Sequence, residues 1–393
     1  MMKHFNFSLN RILVFAFTTT MQEGNFTMNL GRNATYSEVR VIVRDMQDNL
    51  LSNEIFDTNS VTINLTGAGQ KKVQFRISNP NNVVVFDMAI NGENSVPIKS
   101  VNLDEFRKFV NLERIVLYGE NEFYYLPESL SGLKGISIYG FNTIARIPDT
   151  FVNLEILEIR GYNQVDYIPE TLTKLFFMAF HGANTIPSVP DNLIDLETID
   201  IQGSNTIGEV PSSFTKLKNL AITGLNTISF LSTAFTELNT LSVTGNNTIS
   251  VFPDFPKLVT AVITGQNTIS ALPDFSMMPF LWQLIIGGKS TITFDIADLP
   301  DHLKDCRLQS GLNEFTYSGK SWPETMSGLV LWPKAGYGLT TAMVDQLLID
   351  LQDVAVWNWP YQVDLREGNG ARTGASNAAV ANLVSKGVTV LTN

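Results

Sequence analysis

From Leu112 onward the apolar positions of the chain recur every 21 residues, with a single step of 20 at the end. Leucine opens the units at Leu112, Leu133 and Leu154 and so on to Leu258. Glycine stands seven residues later, from Gly119 and Gly140 to Gly265, and asparagine two residues after that, from Asn121 and Asn142 to Asn267. Proline closes most units, from Pro127 and Pro148 to Pro273. The template is L-x-x-L-x-I-x-G-x-N-x-I-x-x-I-P-x-x-F-x-x, and eight copies in register mark a repeat architecture.

Each place in the template has a physical reason. The fourth and sixth places flank one outward residue, as Ile136 and Ile138 flank Ser137, and that period of two predicts a short strand. Glycine after the strand permits a bend with positive φ. Asparagine in the turn is placed to bond backbone groups of its own and the adjacent coil, so stacked copies form an internal ladder. The Ile-Pro step favours an extended back over a helix. Weaker copies follow at Leu281, Leu284, Ile286 and Gly288, with Ser290 in the asparagine place, then at Leu303, Cys306 and Leu308, and at Met326, Leu329 and Leu331. The expected array is an α/β solenoid of about eleven coils over residues 99–339, with Cys306 an apolar filler at an inward position.

Before the array three runs have period two, and Val83 to Phe86 follows as a short apolar run. Val39, Val41 and Val43, then Val61, Ile63 and Leu65, then Val73, Phe75 and Ile77 alternate with their neighbours, and Asn and Gly clusters separate the runs. Residues 28–98 therefore read as a small all-β domain, most simply a sandwich. Residues 1–27 have three readings, one of them a start assigned too early, since Met21 and Met28 follow closely. Lys3 and Arg11 before the apolar run Ile12 to Phe17 suit a signal-like segment. The alternation of Phe5, Phe7 and Leu9 suits a strand or attachment arm. After the array, Thr340 is placed to cap a helix through Leu351, a second helix covers about Ser376 to Lys386, Gly387 stops it, and Val388 to Leu391 is a closing strand. Residues 340–393 are thus an α/β cap, which an open solenoid end requires.

Charge narrows the partners. The net charge is -11 and only 17% of residues are charged. The polar surface comes from Asn, Thr, Ser and Gln, which suits protein loops or glycans and not a nucleic-acid backbone. One cysteine supports no intrachain disulfide, no run has the length of a membrane-spanning helix, and His4, His181 and His302 fit no metal-ligand spacing. No cofactor motif is found.

Residues 112–331 resemble the leucine-rich-repeat family, with one departure: Asn121 lies four residues after Leu117 where the family usually has three, so the turn carries an extra residue, Gly119. A second resemblance covers about 30 residues. Val363-Asp364-Leu365-Arg366, Gly368-Asn369-Gly370-Ala371-Arg372-Thr373, Ala375 to Val380 and Lys386 to Val390 resemble a tail found on leucine-rich proteins of Bacteroidetes bacteria and their tailed phages, where it occurs on virion-associated or tail-fibre-like proteins. These resemblances imply binding and not catalysis, on a virion or, alternatively, in a secreted, periplasmic or surface bacterial protein. Partners would be proteins or surface glycans, including other virion proteins, and the chain is free to oligomerise.

The outward strand places form two columns. One runs Val116, Ser137, Glu158, Ala179, Asp200, and the next Tyr118, Tyr139, Arg160, His181, Gln202 and then threonines. Tyr118, Tyr139, Phe141, Glu158, Arg160, Tyr162 and His181 are the candidate ligand patch, since aromatic and Arg groups dominate binding surfaces. The alternative is that they pack on the N-terminal domain or another subunit. The one carboxylate pairing of interest, Glu158 with Asp200 two coils on, is a loose match to an inverting glycosidase pair.

Overall fold

In the computed structural model the described residues are 13–19, 24–32, 38–58, 60–66, 69–77, 80, 83–87, 98–101, 103–117, 124–139 and 143–393. Phe5, Phe7 and Leu9 lie outside them, as do Tyr118, Gly119, Asn121, Phe141 and Asn142. The chain divides into two units, Met1–Ile186 and Pro187–Asn393.

The first unit opens with strands β1 (Leu13–Thr19), β2 (Gly24–Arg32), β3 (Val39–Asp45), β4 (Leu50–Phe56), β5 (Ser60–Leu65), β6 (Lys71–Ile77), β7 (Val83–Asp87) and β8 (Ile98–Val101). Five of them form an antiparallel sheet in the order β4-β3-β6-β1-β8. In a second sheet β2 pairs antiparallel with both β5 and β7. The expected alternation is seen: Val61, Ile63 and Leu65 are buried while Thr62 and Asn64 are exposed, and Val73, Phe75 and Ile77 are buried. Strands β1 and β2 precede or straddle residue 28, so the sheets draw on chain upstream of it.

Strand β7 also pairs parallel with β9 (Arg114–Leu117), Phe86 opposite Ile115. The second sheet thus continues into the coil strands, and the first coil has no open edge on that side. A 3-10 turn, Leu103–Lys108, places Phe106 edge-on to Phe86 with ring centroids 4.7 Å apart, with Phe109 beside both. The rungs β10 (Gly135–Tyr139), β11 (Ile156–Asn163) and β12 (Phe177–Asn184) follow in parallel register, with Ile136 opposite Leu157 and Leu157 opposite Met178.

The second unit continues the same coil design. Its strands are β13 (Thr198–Gly203), β14 (Asn219–Thr223), β15 (Thr240–Thr244), β16 (Thr260–Ile263), β17 (Gln283–Gly287), β18 (Thr293–Asp295), β19 (Asp305–Thr316) and β20 (Thr325–Pro333). Helix α1 (Thr341–Leu351), β21 (Val356–Leu365), helix α2 (Asn377–Ser385) and β22 (Thr389–Thr392) complete it. Every rung from β13 to β17, then β19 to β22, pairs parallel with the next. This is a parallel β-solenoid with coils of about 21 residues. The template leucines and isoleucines form the core: Leu196, Ile199, Ile201, Leu217, Leu220 and Ile222 are all 0% exposed. Burying six such side chains is worth roughly 1.5–3 kcal/mol each.

The parallel ladder runs past Leu331, through β21 and β22. Their backs differ, being helical where earlier coils are extended. The connection from Lys334 to Ala355 lacks the Ile-Pro step that blocks a helix. Thr340 instead caps α1, its hydroxyl accepting from the Met343 amide at 3.3 Å, and Leu347, Leu348 and Leu351 are buried. Gly387, at φ 84°, follows the end of α2.

The extra turn residue has a defined geometry. Gly161 and Gly182 in the first unit, and Gly203, Gly224 and Gly245 in the second, hold φ between 142° and 146°. Only glycine takes this readily. The asparagine two residues on still reaches the neighbouring coil: the Asn163 amide donates to the His181 carbonyl at 3.0 Å, Asn226 to Thr244 at 3.2 Å and Asn247 to Thr264 at 3.2 Å. All three asparagines are fully buried. On the exposed rim lysines bridge successive coils, as Lys134 does to Glu113 at 2.9 Å and Lys218 to Glu197 at 2.7 Å. At this exposure each bridge contributes under about 1 kcal/mol.

Candidate binding face

In the first unit the sheet register sets the candidate residues side by side. Ser137, Glu158 and Ala179 are directly opposite one another on β10, β11 and β12, and Tyr139, Arg160 and His181 form the adjacent row. The row of small residues is not open to solvent, as its outward place had suggested. Val116, Ser137 and Ala179 are buried, and Glu158 is 9% exposed. Short side chains in a tight parallel sheet lie below the longer ones next to them.

Glu158 is the centre of this patch. The Tyr139 hydroxyl donates to one carboxylate oxygen, and the Arg160 Nε donates to the other at 2.7 Å. The Arg160 guanidinium also lies 5.8 Å from the centre of the Tyr139 ring. The three side chains therefore hold one another in fixed orientations before any partner arrives. Tyr162, beyond the bend glycine, is 61% exposed, and His181 is half-buried. Tyr118 and Phe141 lie outside the described residues. In the second unit Asp200 accepts from Gln202 at 3.2 Å. Both acids of the considered glycosidase pair are thus hydrogen-bonded within their own units, and Glu158 is charge-paired.

Two pairs of the same kind were not singled out from the sequence. Asp305 is 1% exposed on β19 and takes two bonds from Arg307, at 2.9 and 3.1 Å, and a third from Gln283 at 2.8 Å. Gly328 opposite it leaves the room, since a Cβ there would stand 2.8 Å from the carboxylate. Asp364 on β21 takes two bonds from Arg366. Burial pushes the Asp364 carboxyl up, but the Arg366 side chain, amide and charge outweigh it and hold the group below the usual carboxylate range. The readable signal was an acid two residues before an arginine on a strand, as in Glu158-Ile159-Arg160.

Cys306 is buried, and burial with the Asp305 charge beside it pushes its thiol far above the ordinary range, which leaves it inert. Among the described residues no three His, Cys, Asp or Glu side chains gather as metal ligands, and no helix is long and apolar enough to cross a membrane. A cleft of about 410 Å³ on the back of the first coils, lined by Arg107, Tyr125, Glu128 and Arg146, was also missed. These side chains belong to back-side places, where the sequence reading assigned only structure.

No protein-family model matches the chain, and no curated protein matches it. Among solved structures it is similar to the functional domain of InlJ from Listeria monocytogenes, which includes a cysteine ladder. That likeness has 13% identity and a TM-score of 0.40, over 74% of this chain and 75% of that one. It is also similar to the plant peptide hormone receptor RGFR1 in complex with RGF2, at 16% identity and a TM-score of 0.26, over 74% of this chain and 69% of that one.

Proposed function

We propose that the chain is a non-enzymatic attachment protein that docks a protein partner on the strand face of its first unit, as a virion-associated or tail-fibre-like component. The observation that carries the binding reading is the Tyr139–Glu158–Arg160 lock beside the exposed Tyr162. Tyr and Arg are the residues that anchor protein interfaces, and a lock formed before binding lowers the entropy lost on association. Glu158, charge-paired and hydrogen-bonded at both oxygens, is poorly suited to acid-base work. The virion setting rests on the resemblance of the C-terminal segment to tails of phage and Bacteroidetes leucine-rich proteins.

Mass spectrometry of purified particles from the source culture tests the setting. The chain should appear at fixed copy number with its first residues intact. Recovery only from cell-free medium, starting near Thr20, would instead mark a secreted bacterial binding protein. The face is tested by Arg160→Ala with Tyr162→Ala. Adsorption should fall at least tenfold, and adding Glu158→Gln, so that no largely buried carboxylate is left without its charge partner, should keep the loss of stability to about 1–2 kcal/mol. Unchanged adsorption would remove this face from the function.

A further inference from the structure

We infer that the second unit carries a separate binding site for a neutral glycan, built on the aromatic bulge of β21. Strands β20 and β21 pair Met326 with Trp357 and then Gly328 with Gln362. The single residue Ser327 therefore faces four, Asn358 to Tyr361. The register of β13 to β17 runs without a shift, whereas β19–β20 slips between Gln309 and Asn313 and β20–β21 slips here, in mid-strand; bulges of this kind re-aim side chains at functional places. Its side chains divide sharply. Trp357 turns inward and is 7% exposed, whereas Trp359 is 79% exposed, the most exposed large hydrophobic side chain among the described residues. The core is already filled at this level by Trp357, so packing does not require Trp359.

Tyr361 supplies the second observation. It holds φ at 53°, the left-handed region that bulky residues avoid. Such a conformation costs about 1–3 kcal/mol and clusters at ligand sites. Glycine at this place would remove the strain, and the chain keeps an aromatic ring there instead.

The surroundings point to the ligand class. Exposed Asn358 and half-buried Gln362 offer amides on either side of the two rings. The carboxylate on the same strand, Asp364, is neutralised by Arg366 just beyond it in a two-bond pair, and the exposed acids Glu324, Asp353 and Glu367 lie outside the strands, before β20, before β21 and after β21. A flat, protruding indole flanked by uncharged donors and acceptors fits the C–H face and hydroxyls of a pyranose ring. A protein hot spot would instead be ringed by contacts that exclude water.

Affinity electrophoresis of the full chain tests this, in gels holding hydroxyethylcellulose, glycogen, laminarin or galactomannan. Retardation by at least one polymer is expected. Trp359→Ala should weaken it at least tenfold, Tyr361→Gly should weaken it while raising thermal stability, and Trp359→Tyr should retain part of it. Tyr162→Ala, in the other unit, should leave it unchanged, which separates this site from the attachment face. Migration unaffected by all four polymers, or retardation that survives Trp359→Ala, overturns the assignment.

Discussion

A Cβ added to Gly224 would stand 2.4 Å from the carbonyl oxygen of Gly203, one coil earlier. The same contact recurs between Gly245 and Gly224 at 2.4 Å, and between Gly265 and Gly245 at 2.2 Å. Glycine is required here twice over, by its positive φ and by the approach of the next backbone. The bend glycines pack as a column, and through them the coils come close enough for the asparagines behind to bridge.

Gly224→Ala should therefore destabilise the second unit by about 2–6 kcal/mol, combining left-handed strain with overpacking. Gly208→Ala is the matched control. Its nearest neighbour would be the Thr227 hydroxyl at 3.8 Å, an ordinary contact. It should stay within about 0.5 kcal/mol of the parent. Urea unfolding of both variants decides the matter, and equal midpoints would contradict the column.

Asp345 ties the two helical backs together. It accepts from the Ser376 hydroxyl at 2.6 Å, the Thr373 hydroxyl at 2.5 Å and the Thr373 amide at 2.9 Å. These bonds hold its carboxyl below the ordinary 3.8. Because the folded value is depressed, the stabilisation is present above the unfolded value and is lost as pH falls through the folded one. Asp345→Asn should melt below the parent at pH 7, and the gap should narrow as the pH is taken below the ordinary 3.8. A gap that stays the same over this range would show that the carboxylate charge is not involved.

The buried thiol gives a chemical clock for the second unit. Cys306 should not react with Ellman's reagent in the native protein, since both access and thiolate are missing. It should react fully in denaturant, with a midpoint matching the loss of circular dichroism. Fast labelling under native conditions would place Cys306 outside the core.

The solenoid was legible because every coil repeats the same burial problem: Leu196, Ile199 and Ile201 carry the same pattern as Leu217, Leu220 and Ile222, and repetition separates signal from noise. The caps of α1 and α2 were legible from Thr340 and Gly387, which act locally. The shelter of Ser137 and Glu158 was not, because it depends on the length of side chains one strand away. Nor was the bulge at Trp359: a three-residue insertion inside a degenerate coil has no counterpart in the template, and only the register of β20 against β21 reveals it.

The Asn226 amide meets the carbonyl of Thr244, and the Asn247 amide that of Thr264. What one coil lacks, the following coil supplies, and no coil closes its own account of backbone partners. Such a chain is modular in the genetic sense. Duplicating or deleting one 21-residue segment between Gly203 and Gly245 leaves every surviving interface of the same kind as before, so the length of the array is free to drift while its cross-section is held constant.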